Sequence, residues 1–314
     1  MTNRNPKRPA GSYRAPSTNG SQQTAAPKRR GLGSILAPRV PVNTPMPKIP
    51  ASLARGFVAI VSSPVLLLAI PVAVVLEWLV VVALGFQGPF SVFAHALAIP
   101  PIGTAFDGSV STGIYGGQAG LIFIIGFVVF RAFVMAILTV AIVQVLDDGA
   151  VAVSAVPRGL RILPVTLAVG FMNMGILTLA SVLQQFLGGI GLLLEMAGLV
   201  FGVYLFVFGP IMAAAEGRGM AESLSRGIRS ARMPGAGNLL MATLYVFPSV
   251  ALLIAQGQTS TILNVNPGVG AWVFVIVANL LHLTFLATFA FRYLSISDTV
   301  PDAPEPKARR SRTR

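Results

Sequence analysis

The chain contains no cysteine. Disulfides and thiol-based metal or redox sites are therefore excluded, while the redox compartment stays unread. Charge is scarce as well: 11% of the residues are charged, whereas a soluble domain carries about 25%. The 59 residues between Arg232 and Arg292 include no charge at all. Histidine occurs twice. There is no Gly-x-Ser-x-Gly elbow, no P-loop, no His-Glu-x-x-His pair and no two-metal carboxylate cluster. The usual carriers of hydrolytic and nucleotide-driven chemistry are thus missing, and neither a catalytic set, a metal nor a cofactor is expected.

What is present is apolar. Hydrophobic residues make up 54% of the chain, and the mean hydropathy is +0.76. Crossing a bilayer takes roughly 20 apolar residues in a helix. Six such runs are read, at about 61–86, 119–145, 163–186, 190–214, 238–255 and 271–293. The expected fold is an all-α polytopic membrane bundle spanning 51–295, in the cell membrane. The loop 87–118 carries Pro100-Pro101 and several glycines, and it has room for a short interfacial helix near 90–97. Residues 1–50 are Pro-rich and basic, with clusters such as Lys28-Arg29-Arg30. Such a segment buries too little apolar surface to offset its ordering entropy. It is read as a disordered tail, as is 296–314, and not as a signal peptide.

Orientation follows from the basic residues, which are retained on the cytosolic side. All of the 23 Lys and Arg except Arg131 fall in or beside the N-tail, 146–162, 215–237 and the C-tail. The intervening loops 87–118, 187–189 and 256–270 contain none. An even number of spans then puts both termini in the cytoplasm. The same sorting accounts for the net charge of +13 without nucleic acid.

Two of the basic segments resemble each other at an offset of 68 residues. Asp148-Gly149 aligns with Glu216-Gly217, and Arg158-Gly159-Leu160-Arg161 with Arg226-Gly227-Ile228-Arg229. A repeated hairpin-like unit is expected. In the second copy Met220, Leu224, Ile228 and Ala231 share a helical face, with Glu222, Arg226, Arg229 and Arg232 on the other side. That pattern predicts an amphipathic surface helix with its apolar side down and a Glu222–Arg226 pair at the favourable spacing. Arg158, Arg161, Arg226, Arg229 and Arg232 form the expected cytosolic basic surface, facing a membrane or cytosolic protein partner or anionic lipid headgroups. In the first copy Pro157 interrupts or starts a helix.

Inside the spans stand Glu77, Arg131, Glu195 and His282. Ionisable groups in hydrocarbon are costly, so each is a site hypothesis. Glu77 and Arg131 lie at matching depth in the first two spans and are expected to pair. His282 near the midplane, with Asn279 one turn before it, and Asn173 at similar depth complete a polar layer of Glu77, Arg131, Asn173 and His282. The layer reads equally as separate helix-to-helix hydrogen bonds. Glu195 sits nearer the outer face. Gly198 and Gly202 give the four-residue glycine spacing that permits close helix approach.

The run from the fourth span through Glu216, Gly217, Glu222, Ser223, Leu224, Arg226 and Arg229 into the fifth resembles a bacterial family. This is the six-helix membrane-domain family related to the membrane domain of glycerophosphodiester phosphodiesterases. The resemblance covers about 50–295 and implies an integral bacterial membrane protein. It carries no phosphodiesterase activity over, because the hydrolase domain is absent. Asp147-Asp148-Gly149 begins like the metal motif of CDP-alcohol phosphotransferases, but Val153 stands where that motif needs arginine, and its later aspartates are missing. The leading expectation is a non-enzymatic accessory or scaffold in envelope or lipid processes. The second is a transporter or lipid-translocating protein that uses the polar layer.

Overall fold

The structure is a computed structural model that describes residues 46–83, 90–99, 118–233, 235–259, 268–297 and 300. The tails expected at 1–50 and 296–314 lie almost wholly outside these residues, as do 87–89 and 100–117 of the expected 87–118 loop. All regular structure among the described residues is helical, with no strand.

Nine α-helices follow in order among the described residues. They are α1 (Ile49–Val61), α2 (Pro64–Ala83), α3 (Gln118–Asp148), α4 (Ala155–Leu187), α5 (Gly189–Phe206), α6 (Phe208–Glu216), α7 (Met220–Ala231), α8 (Gly235–Thr259) and α9 (Val269–Leu294), with a 3-10 turn at Phe90–His95 between α2 and α3. Among the described residues four helical stretches are long and apolar enough to cross a membrane: Val128–Asp148, Ala155–Ile176, Gly189–Glu216 and Val269–Leu294. A fifth arises if α1 and α2, bent by 79° at Ser62-Ser63, count as one broken span. In α8 the apolar stretch Gly237–Ala251 is shorter.

The sequence reading places the first helix at residue 61, but α1 starts twelve residues earlier. Pro50 stands in its first turn, where a missing N–H costs nothing. Its buried face is Ser52, Gly56, Ala59 and Ile60, and this face packs along α9. Gly56 makes the approach possible: a Cβ there would meet the Thr288 hydroxyl and would lie 2.8 Å from the Thr284 carbonyl. Phe57, Val58 and Val61 face outward. Pro64 opens α2, and the residue before a proline is pushed out of helical geometry, which accounts for the break.

The two Arg-Gly-x-Arg segments share local geometry. Gly149 and Gly217 both follow a helix with positive φ, at 78° and 69°. Each donates its N–H four residues back, to Val145 at 3.1 Å and to Ala213 at 3.0 Å. Glycine suits this left-handed stop because it has no Cβ to clash. Downstream, Gly159 lets α4 press on α3, where an added Cβ would lie 2.8 Å from Ile137 Cα. Gly227 lets α7 press on α6, 2.7 Å from Gly209 N by the same measure.

Candidate functional site

Glu77 on α2 and Arg131 on α3 form a buried ion pair. Arg131 donates through Nε at 3.0 Å and Nη2 at 2.6 Å to Glu77 Oε1, and both side chains are almost fully enclosed. In a low-dielectric interior each charge needs the other.

A second polar group gathers around α9. The 90–99 segment is drawn into the bundle: residues 93–99 are all buried. Asn279 holds its backbone at two points, accepting from Leu97 N at 2.8 Å and donating to the Phe93 carbonyl at 2.8 Å. Tyr245 of α8 accepts from Ile99 N at 2.7 Å. His282, halfway along α9, joins the two sides. Its Nδ1 lies 2.8 Å from Tyr245 Oη, and its Nε2 lies 3.2 Å from His95 Nδ1. The only two histidines of the chain therefore bond to each other. Burial first, then the neighbouring His282 and Arg131, holds the His95 pKa well below its ordinary value, so the ring is neutral. An aromatic lid of Trp78, Phe90 and Trp272 closes over the turn, with Phe90 and Trp272 ring centres 4.5 Å apart.

His95, Tyr245 and the anchoring role of Asn279 were not legible as a cluster, because 87–118 reads as an outside loop. The short helix expected near 90–97 is present as the 3-10 helix Phe90–His95, buried from residue 93 on where an interfacial position was expected. Asn173 does not join the group. It is buried on α4 against Gly202 of α5, where a Cβ on the glycine would sit 2.8 Å from Asn173 Oδ1. Neither amide atom of Asn173 has a hydrogen-bond partner among the described residues. Gly198 faces the same helix, against Ile176. The Glu195 side chain lies outside the described set.

At the other end stands a charged cluster. Glu216 accepts from the Tyr293 hydroxyl and from Arg218 Nε at 2.7 Å, and lies 3.5 Å from Arg226 Nη2. Arg226 also donates to the Ser297 carbonyl at 3.2 Å. Arg226 is only 6% exposed, which corrects its assignment to the basic surface. The buried face of α7 is Ser223, Arg226, Gly227, Ser230 and Ala231, while Met220 is 48% exposed. Small residues let the backbones meet, and that contact outweighs the apolar stripe. Glu222 pairs with Arg218. Arg158 and Arg161 are exposed, and Arg229 and Arg232 are half-buried. Arg158 reaches the Ala214 carbonyl at 3.4 Å, so the start of α4 lies beside the end of α6.

Arg292, which the sequence offers only as an edge charge, is a buried anchor. It donates to Asn238 Oδ1 at 2.9 Å, the Pro47 carbonyl at 2.8 Å and Ser52 Oγ at 3.3 Å. Asn238 Nδ2 in turn caps the end of α7 at the Ala231 and Met233 carbonyls, at 3.1 and 2.9 Å. One arginine thus ties together the segment before α1, the α7–α8 junction and the end of α9.

Among the described residues no group of three His, Cys, Asp or Glu could hold a metal. Between α8 and α9 lies a groove of about 380 Å³ lined by Pro248, Ala251, Phe274, Val277, Ala278 and Leu281. Comparison with protein-family models, curated proteins and solved structures finds no match.

Proposed function

We propose that the chain is a six-span plasma-membrane protein with both termini in the cytoplasm, serving as a non-enzymatic accessory or scaffold in envelope or lipid processes. The observation that carries this reading is the division of its polar chemistry. Glu77–Arg131, Asn279 and His282–Tyr245 are spent on joining helices to one another, and the exposed arginines Arg158 and Arg161 stand at the Glu216 end. The left-handed glycines 149 and 217 and the close-packed glycines 159 and 227 support the repeated unit. They also fit the resemblance to the six-helix membrane-domain family. The working surface in this reading is Arg158, Arg161, Arg229 and Arg232, which meets a membrane or cytosolic protein partner, or anionic lipid.

Purification in lipid particles tests it. A stoichiometric protein partner or enriched anionic lipid should accompany the wild type. It should be lost when the four arginines become alanine, with the melting temperature unchanged. If the variant keeps its full complement of protein and lipid, the reading fails.

A second reading, solute or lipid translocation through the polar layer, draws on one observation: His95 Nε2 and the Asn173 amide are buried without partners. Solute flux in proteoliposomes that is abolished in a stably folded Glu77→Gln/Arg131→Gln protein would favour it.

A further inference from the structure

The groove between α8 and α9 is defined by its size, its depth and its chemistry. Its α9 wall is Phe274, Val277, Ala278 and Leu281, which recur at helical spacing and share one face, and its α8 wall is Pro248 and Ala251. Ala278 is buried, and Ala251 across from that wall offers only a methyl group, so space is left between the helices. The Tyr245–His282 contact of 2.8 Å ties the two helices just beyond the inner end. Residues 274 to 281 cover about 10 Å of helix, and the groove measures about 380 Å³. Two turns of an α-helix about 10 Å across occupy roughly 850 Å³. A partner helix is therefore too thick for it, while a single hydrocarbon chain is not.

Depth follows from α9. Trp272 and Arg292 stand twenty residues apart, about 30 Å of helix, which equals the thickness of a hydrocarbon core of about 30 Å. Trp272 groups with Trp78 and Phe90, and tryptophan is enriched where a bilayer meets water. The groove starts two residues inward of Trp272 and stops before His282, so it lies within the leaflet on the Trp272 side. Every described residue lining it is apolar, and no charge occurs between Arg232 and Arg292. Such walls complement an uncharged occupant and give water none of the two to four partners it needs. Leu244 and Phe247 on α8 and Val273 and Val277 on α9 continue the apolar surface outward, so in a bilayer the groove opens onto lipid.

We propose that this groove binds one acyl chain of a phospholipid in the leaflet on the Trp272 side. The inference rests on the membrane reading above and is independent of the scaffold role. Among lipid tails the hydrophobic effect gives no preference, so the chain is held by packing: it restores the contacts that an unfilled groove denies its walls.

Photolabelling tests this. The full-length protein is reconstituted in phosphatidylcholine liposomes with a trace of phosphatidylcholine that carries a diazirine in one acyl chain. After flotation and irradiation, labelled residues are mapped by mass spectrometry. Labelling should concentrate on 248–251 and 274–281, above its level on the open face of α3 at Val129 and Phe133. Ala251→Phe and Val277→Trp, both at exposed positions, fill the groove. Each should remove that excess and leave the α3 signal and the melting temperature unchanged, and either variant that folds decides the matter. Equal labelling of the groove and α3 would overturn the proposal, as would an excess that survives the substitutions or a protein found crosslinked there in native membranes. Failure of the wild type to float with the liposomes would be a distinct result, contradicting the membrane reading itself and the proposal with it.

Discussion

Glu77 and Arg131 show how a single pair of side chains can be both a liability and a joint. Each would be an isolated charge in hydrocarbon without the other, so removing one leaves the partner uncompensated at about 3–5 kcal/mol. Removing both leaves only a mild packing change. Glu77→Gln and Arg131→Gln should therefore each lower the melting temperature sharply, and the double variant should recover part of the loss, as thermal unfolding of purified protein would read out. His95 adds a pH dependence of definite sign. Its folded pKa is pushed down by burial, so the unfolded chain takes up the proton first as pH falls. Stability from this group is complete above the ordinary histidine pKa of about 6.5 and declines as pH drops below it. Melting temperature should fall between pH 7 and pH 5, with a shallower slope in His95→Gln. The pair was legible in the sequence because an unpaired charge in a span has nowhere else to go. His95 was not, since nothing in the composition of 87–118 says that part of it folds back among the helices.

Helices in this molecule meet where side chains are smallest. Gly56 seats α1 on α9, Gly159 seats α4 on α3, and Gly227 seats α7 on α6. At Gly56 and Gly227 the neighbour is rigid backbone, so a larger side chain must push the helices apart. Gly56→Val and Gly227→Val should each cost about 1–3 kcal/mol, whereas Gly126→Val, which has nothing within 4 Å, should be close to neutral. Denaturation of the three variants side by side would check this. The same contacts explain why α7 was misread. Its apolar stripe of Met220, Leu224, Ile228 and Ala231 predicts one buried face, and Ala231 is buried and Leu224 packs on the core, but Ser223, Gly227 and Ser230 allow the tighter approach and carry Arg226 inward to Glu216 while Met220 is left exposed. Hydrophobic periodicity reports what is apolar, and in a membrane an apolar face has lipid as an alternative partner. Helix α1 escaped notice for a related reason: it carries Arg55 and precedes the long apolar run, so only its contact with α9 reveals it.

Across the whole molecule, long apolar helices and a helical fold were legible from hydropathy alone, since only helices or closed barrels satisfy backbone groups in lipid. Details of the tertiary ties, such as Arg292 gripping Pro47 and Asn238, depend on contacts 245 and 54 residues apart and leave no local signature. In the proposed topology the start of α4, with Arg158 and Arg161, and helix α7 lie on the cytosolic side and the α8–α9 connection lies outside. Because the chain lacks cysteine, single reporters can be introduced at Val153, Ser225 and Gln258 and challenged in intact cells with a membrane-impermeant thiol reagent. The account predicts labelling at position 258 only, with 153 and 225 reacting after the membrane is permeabilised. Labelling of 153 or 225 in intact cells, or protection of 258, would contradict it.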